Sequence, residues 1–336
     1  MVGDIKTTTI KINNYIYIML NYIATIVIIT TLGILFERFK LRYIADDELK
    51  HSELIKNFLL NDNLENKPIL WIHSSHNINS RMWKSFGSRN TENINQPYLN
   101  LCVKSVIKNC GNNFRIALID DLTFNKILPN WKIKLSNLSE PIRDHVRKLA
   151  LCKLLNSYGG FLIPDSTVVL QNLYETYSDG INSKGFFIGK QQSKSVENSY
   201  TSPNSNFMGC TKNNLTMKKI IGELEVLMSK NYTNEIEFSG LIDNIFMKYI
   251  KQENIKYLDC KVTGLEDINS KLVTLDRLMG ATFIDFNKDT NCIVFPKDEL
   301  LARKQYQWFA RLSEDQLYSC NNSIAKWIII ALKGCK

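Results

Sequence analysis

The residues best suited to chemistry sit where apolar runs stop. In SYGGFLIPDSTVVL (Ser157 to Leu170) a lone carboxylate, Asp165, follows Pro164 and interrupts an otherwise apolar stretch. A charge is a poor tenant of a buried strand. At a strand's end, however, a carboxylate with a hydroxyl beside it, here Thr167, can aim a hard divalent ion into a cleft. Mg²⁺ and Mn²⁺ take oxygen ligands and keep several waters, so one or two protein carboxylates suffice. The rival reading is a plain turn, for which Asp-Ser after proline is a common signature. Asp144 and Arg147 stand one helical turn apart in RDHVRKLALCKLL. That spacing lets them bind hydroxyls and phosphate charge together, or merely pair with each other or with Lys148. His73 closes the apolar run ILWIH, as a ligand-facing or a structural histidine. Asp120 and Asp121 close RIALIDD, to touch a ligand or to cap the next helix. His145 is expected to face solvent beside them.

These side chains need a scaffold that brings strand ends together. KPILWIHSS reads as a strand between a proline and polar residues. YLNLCVKSVIKNC carries apolar residues at helical spacing and stops at Gly111. FRIALIDD is a second strand. PIRDHVRKLALCKLLNSYGG is a second helix, with Pro141 suited to its first turn and Gly159 to a left-handed position past its end. FLIPDSTVVL follows as a third strand, in which the proline marks a one-residue bulge that re-aims Asp165. Alternating strands and helices predict an α/β fold with a mixed, largely parallel sheet flanked by helices, and ligands outside the carboxyl ends of its strands. Beyond Leu173 the pattern loosens. GFFIG and FMGC read as short strands, QQSKSVENSYTSPNSN as a long polar loop, and NNLTMKKIIGELEVLMSK and LIDNIFMKYIKQ as helices. The C-terminal SIAKWIIIALK is too short to span a bilayer and either docks on the domain or lies against lipid.

Composition narrows the class. The chain has 336 residues, 44% of them hydrophobic, enough for one large domain or two small ones. Its net charge of +9 accompanies heavy use of lysine, asparagine and isoleucine, a bias that an AT-rich genome produces by itself. No stretch interleaves arginine with aromatics as a nucleic-acid groove does, and there is neither a Walker loop nor a G-x-G-x-x-G. The eight cysteines form no C-x-x-C pair and do not group with the four histidines, which argues against zinc. Buried free thiols are the default.

Between Ile12 and Phe36 no residue is charged, and Tyr15 to Phe36 is long enough to cross a bilayer as an uncleaved anchor. A tail (1–14), an anchor (15–36), a polar stem (37–66) and one domain (67–336) follow from this. That domain divides into two halves, 67–175 and 176–336, the second ending in the C-terminal helices. The stem is expected to hold a helix near Asp46–Leu60. Arg38, Lys40 and Arg42 on the domain side lean, by the positive-inside rule, to a cytosolic domain. Asn137, Asn214, Asn231 and Asn321 each begin an N-x-S/T sequon, and glycan on any of them would place the domain on the lumenal side.

The series His73, Asp144 with Arg147, Tyr158-Gly159-Gly160 and Asp165-Ser166-Thr167 resembles the capsular-polysaccharide-synthesis and DXD-containing sugar-transferase families. These are GT-A glycosyltransferases with a Rossmann-type sheet. The resemblance covers about residues 67–175, and more loosely to about 250. Two departures stand out. Asp144 and Arg147 lie about four residues further from the glycines than usual, roughly 5 Å along a helix. The family's first acid falls at Pro164 unless one residue is inserted, in which case Asp165 takes its place and Thr167 takes the second acid's. The resemblance implies a nucleotide-diphosphate-sugar donor, a carbohydrate, lipid or protein acceptor, Mn²⁺ or Mg²⁺, and retention of configuration. It implies catalytic roles for Asp165, Asn206 and Glu237, with metal held by Asp165 and Thr167. Donor contacts would come from His73, Asp120, Asp144, Arg147, Tyr158, Gly159, Gly160 and Ser239, with Glu237 and Ser239 in a loop that closes over the diphosphate. Anchored members of such families commonly face a lumen, against the charge reading. The alternative is a fold that has lost its chemistry and serves as a binding or structural module on the membrane.

Overall fold

The structure, a computed structural model, describes residues 58–60, 66–75, 96–192, 201–229 and 235–334, with side chains from 240 onward in the last segment. The expected anchor and most of the stem lie outside these residues. Among the described residues no helix is long and apolar enough to cross a membrane. The compact unit they belong to begins at Phe58.

The chain runs β1 (Ile69–His73), α1 (Pro97–Cys110), β2 (Arg115–Ile119), the short α2 (Phe124–Ile127), α3 (Ile142–Tyr158), β3 (Gly160–Pro164) and β4 (Thr167–Val169). It continues through α4 (Tyr174–Lys184), β5 (Phe186–Gln192), β6 (Thr201–Cys210), α5 (Leu215–Ser229), α6 (Glu235–Lys251) and β7 (Lys256–Tyr257). Last come α7 (Leu275–Met279), β8 (Cys292–Val294), α8 (Lys297–Ala302), α9 (Glu314–Tyr318) and α10 (Ser323–Lys333). The main sheet has the order β2-β1-β3-β6-β5-β7. β1 pairs in parallel with β2 and β3, while β6 is antiparallel to both β3 and β5. A second, two-stranded sheet joins β4 to β8 antiparallel. This is the mixed α/β architecture expected from the strand–helix alternation.

The centre of the sheet is fully apolar because it is covered on both faces. Leu70, Trp71, Ile72 and Phe161 are buried, and Phe161 meets Phe187 and Phe207 edge-on, each at 5.0 Å between ring centroids. Helix α1 serves two cores. Val103, Val106 and Cys110 pack on the main sheet, whereas Tyr98, Leu99, Leu101 and Cys102 pack with β8 and the C-terminal helices. In that second core α10 buries Ile324, Ala325, Ile328 and Ala331, and the Trp327 indole donates to the Ile284 carbonyl at 2.9 Å. The C-terminal helix therefore docks on the domain. The described cysteines are free, and all but Cys320 are buried.

Five local expectations change. FLIPDSTVVL is two strands in different sheets, separated by a turn at Asp165 and Ser166. The register of β3 against β1 runs unbroken from Leu70↔Phe161 to His73↔Pro164, so the expected bulge at Pro164 is absent. Thr201 to Asn206 belong to β6, paired with the polar end of β5, rather than to a loop; their irregularity is a shift between Ile188 and Gly189. Glu237 and Ser239 fall inside α6 rather than in a closing loop. Phe58–Leu60, assigned to the stem and its helix, instead pairs along β2, with Leu59 bridging Ala117.

Candidate functional site

Successive connections leave β1 in opposite directions, first to β2 and then, past β1, to β3. Strand order reverses there, and such reversals open a crevice at the carboxyl ends of the strands. Three adjacent parallel strands end at this edge: β1 at His73, β2 at Ile119 and β3 at Pro164. His73 is level with both partners. Asp120, Asp121 and Asp165 come next in the chain, so the acids expected at strand ends do meet at one edge.

The two neighbouring aspartates divide their work. Asp120 turns back on its own loop, accepting from the Thr123 backbone N–H at 2.8 Å and from its hydroxyl at 2.6 Å. Asp121 faces the other way and becomes a hub. It accepts from His73 Nε2 at 3.0 Å and takes a two-pronged grip from Arg147, Nε to Oδ1 and Nη2 to Oδ2, both 2.8 Å. Arg147 also reaches Asp144 at 3.3 Å, and Lys148 pairs with Asp144 at 3.2 Å. The Arg147 guanidinium is thus committed to Asp121, with Asp144 oriented beside it. His73 lies flat against Phe124, with 5.5 Å between ring centroids. Burial pushes the Asp121 carboxyl up, but the hydrogen bonds from Arg147 and His73 outweigh it and hold it well below the usual carboxylate range. Asp144 is likewise lowered: burial opposes, and the charges of Lys148 and Arg147 prevail.

His145, expected at the surface, is only 2% exposed. Burial, with Lys148 second and Asp144 opposing, lowers its pKa from an ordinary 6.5 to about 4. The neutral ring is the folded form, so its stabilising share is complete above pH 6.5 and is lost as pH falls towards 4. Melting temperature is expected to drop across that window, before the ordinary carboxylate range is reached. The drop should be smaller in His145→Gln, as melts from pH 7 to pH 4.5 would measure.

Asp165 is 2% exposed and sits in the turn between β3 and β4. Its Oδ1 accepts from the Lys297 ammonium at 2.6 Å. Its Oδ2 has no hydrogen-bond partner among the described residues, and neither has the buried Tyr98 hydroxyl. Burial, and next the Asp165 charge, raise the Tyr98 pKa well above its ordinary value. Thr167 donates its hydroxyl to the Pro164 carbonyl at 2.8 Å, and Ser166 donates to the Phe295 carbonyl at 2.7 Å. A divalent ion fits this set poorly. The one carboxylate already carries an ammonium, and no group of three His, Cys, Asp or Glu among the described residues could hold a metal.

Tyr158, Gly159 and Gly160 lie at the other end of β3. Gly160 and Asp165 are five residues apart, about 16 Å along a strand. The glycines solve a packing problem there. Gly159 (φ 70°) ends α3 and accepts from the Trp71 indole at 2.9 Å. Gly160 (φ 103°) passes so close to the Ile69 carbonyl that no Cβ fits. Tyr158 meets Trp71 edge-on and donates its hydroxyl to the Ile127 carbonyl. Together these three residues tie the end of α3 and the start of β3 to β1 and α2. Asn206 is exposed and lies in the irregular stretch of β6, beyond the last β3–β6 pair, Leu162↔Met208. The side chains of Glu237 and Ser239 lie outside the described residues.

One residue, Lys297, has no signal in the sequence, and one choice stays open there. Asp121 was visible beside Asp120, but which acid faces the network depends on how the chain turns after β2. Lys297 lies 132 residues from Asp165, and no local pattern links them.

No family model and no curated protein matches the chain. Among solved structures, the apo-form glycosyltransferase GlyE of Streptococcus pneumoniae TIGR4 aligns at 9% identity and a TM-score of 0.35, covering 58% of this chain and 46% of that one. The chain thus spans less than half the length of GlyE. The PaToxG glycosyltransferase aligns at 12% identity and a TM-score of 0.31, covering 85% of this chain and 93% of that one. At these scores the likeness assigns this chain no function.

Proposed function

We propose that this protein is a glycosyltransferase that moves a sugar from a nucleotide-diphosphate sugar to a carbohydrate, lipid or protein acceptor, with retention, while anchored to a membrane through Tyr15–Phe36. The observation that carries the reading is the reversal of strand order at β1, with His73, Asp121 and Asp165 gathered at the carboxyl ends of three adjacent strands. A crevice of that kind is where α/β sheets take nucleotides. The order of Asp-x-x-Arg, Tyr-Gly-Gly and Asp-Ser-Thr along the chain supports the same class. In this reading Asp144, half exposed and steered by Arg147 and Lys148, hydrogen-bonds donor hydroxyls. Asn206 faces the sugar from the neighbouring strand. The Asp121–Arg147–His73 network holds the strand ends in place beneath them.

The second reading, a fold kept as a binding or structural module, is favoured by the unbroken register through Pro164, which stands where the family's first acid would be. Melting the full chain with UDP, GDP and their sugar conjugates separates the two. A nucleotide-dependent rise in melting temperature of several degrees is expected, since a ligand at about 100 times its Kd stabilises by about 2.7 kcal/mol. No rise with any nucleotide would leave only the structural module.

A further inference from the structure

We propose that Lys297 is a built-in cation of the donor site: its ammonium, anchored on Asp165, meets the donor diphosphate where related chemistry would use a divalent ion. This rests on the transferase reading given above. Strand β4 pairs with β8 in the register Thr167↔Val294. Beyond that pair, the Phe295 N–H donates to the Ser166 carbonyl at 3.2 Å, and the Ser166 hydroxyl donates to the Phe295 carbonyl at 2.7 Å. These two bonds clip the Asp165–Ser166 turn to the start of α8, and Lys297 comes to rest on Asp165 at 2.6 Å. The lysine is therefore positioned by backbone and sheet pairing rather than by a chance surface meeting.

The pair has spare capacity of the right kind. An ammonium has three donors. One goes to Asp165 Oδ1, and the described residues supply no acceptor for the other two. The lysine side chain is 16% exposed, so part of it reaches solvent at this edge. The buried Asp165 Oδ2 has no partner among the described residues, nor has the Tyr98 hydroxyl in the same buried neighbourhood. Phosphate oxygens are acceptors, which suits the ammonium. A nucleotide-diphosphate sugar carries them on its diphosphate. A divalent ion on Asp165 would have to displace the ammonium or sit beside it, against charge repulsion at close range. Thr167, the second expected ligand, turns its hydroxyl proton to Pro164.

The test titrates Mn²⁺ into the purified full chain and follows the free-ion signal by electron paramagnetic resonance. Wild type is expected to leave the signal unchanged. Uptake of one Mn²⁺ that Asp165→Asn abolishes would overturn the proposal. Alongside, the affinity for UDP and GDP is measured with and without EDTA. EDTA is expected to change nothing. Lys297→Gln is expected to weaken nucleotide binding at least tenfold and Lys297→Arg to keep most of it; full affinity in a folded Lys297→Gln would also overturn the proposal. If Lys297→Gln does not fold, the wild-type manganese measurement decides alone. If no nucleotide binds wild type at all, the transferase reading fails, while the manganese titration still judges whether Asp165 takes an ion.

Discussion

Gly160→Ala is expected to destabilise the protein by on the order of 4 kcal/mol, enough to leave little folded chain. Two costs combine. The residue holds φ at 103°, a conformation that L side chains rarely adopt, and the added Cβ would overlap the carbonyl oxygen of Ile69, which belongs to the central strand β1. Neither can relax cheaply. The Ile69 carbonyl is backbone held between two parallel neighbours, and the Trp71 indole crowds the same point. Denaturant unfolding or soluble yield would measure the loss. Gly222→Ala is the matched control: it lies in helix α5, with nothing within contact distance of its Cβ. It should be neutral or slightly stabilising. A well-folded Gly160→Ala that merely failed to bind nucleotide would return Tyr-Gly-Gly to the binding site, against its placement at the far end of β3.

Arg147→Ala is expected to cost about 3 kcal/mol, because it strips the two-pronged partner from Asp121 and leaves a largely buried carboxylate with only His73. Most of that cost is an uncompensated charge rather than the worth of the pair. Adding Asp121→Asn to the same chain should therefore recover part of it, which a double-mutant cycle by urea unfolding would show. Strict additivity would mean that the two side chains do not act together. The acid limb of the stability curve should follow the same logic. The Asp121 pKa is held low in the fold, so its contribution is complete above the ordinary carboxylate range and is lost as pH falls below it. In Arg147→Ala that acid loss should shrink.

Much of the front half of the fold was legible because its elements keep clean periods. The core strands β1 and β2 are short apolar runs ended by polar residues, and α1 and α3 repeat apolar residues at helical spacing between proline and glycine. Periodicity fails where both faces are buried. The run from Phe161 to Val169 is apolar throughout apart from its middle, so a turn that moves the chain from one sheet to another left no mark except Pro164, Asp165 and Ser166. It fails again at Thr201–Asn206, polar residues that form a strand because they pair with the equally polar end of β5. The site was half legible for a related reason. Strand ends show in sequence, so His73, Asp120, Asp121 and Asp165 could be named. Which of two adjacent acids faces the network, and which distant lysine meets Asp165, are set by tertiary pairing. The Tyr-Gly-Gly motif shows the reverse hazard. It is conspicuous because it solves a close-packing problem, and that problem lies at the opposite end of β3 from the acids.

The central claim is that the crevice at the ends of β1 and β3 consumes a nucleotide-diphosphate sugar. The most direct measurement is release of free nucleotide from a panel of UDP- and GDP-sugars by the full chain in detergent, comparing wild type with Asp165→Ala and with a folding check on both. Wild type is expected to release nucleotide from at least one donor, and Asp165→Ala to lose that activity by about a hundredfold or more, a transition-state loss of about 2.7 kcal/mol. Equal release by both proteins, or none from any donor, would contradict it.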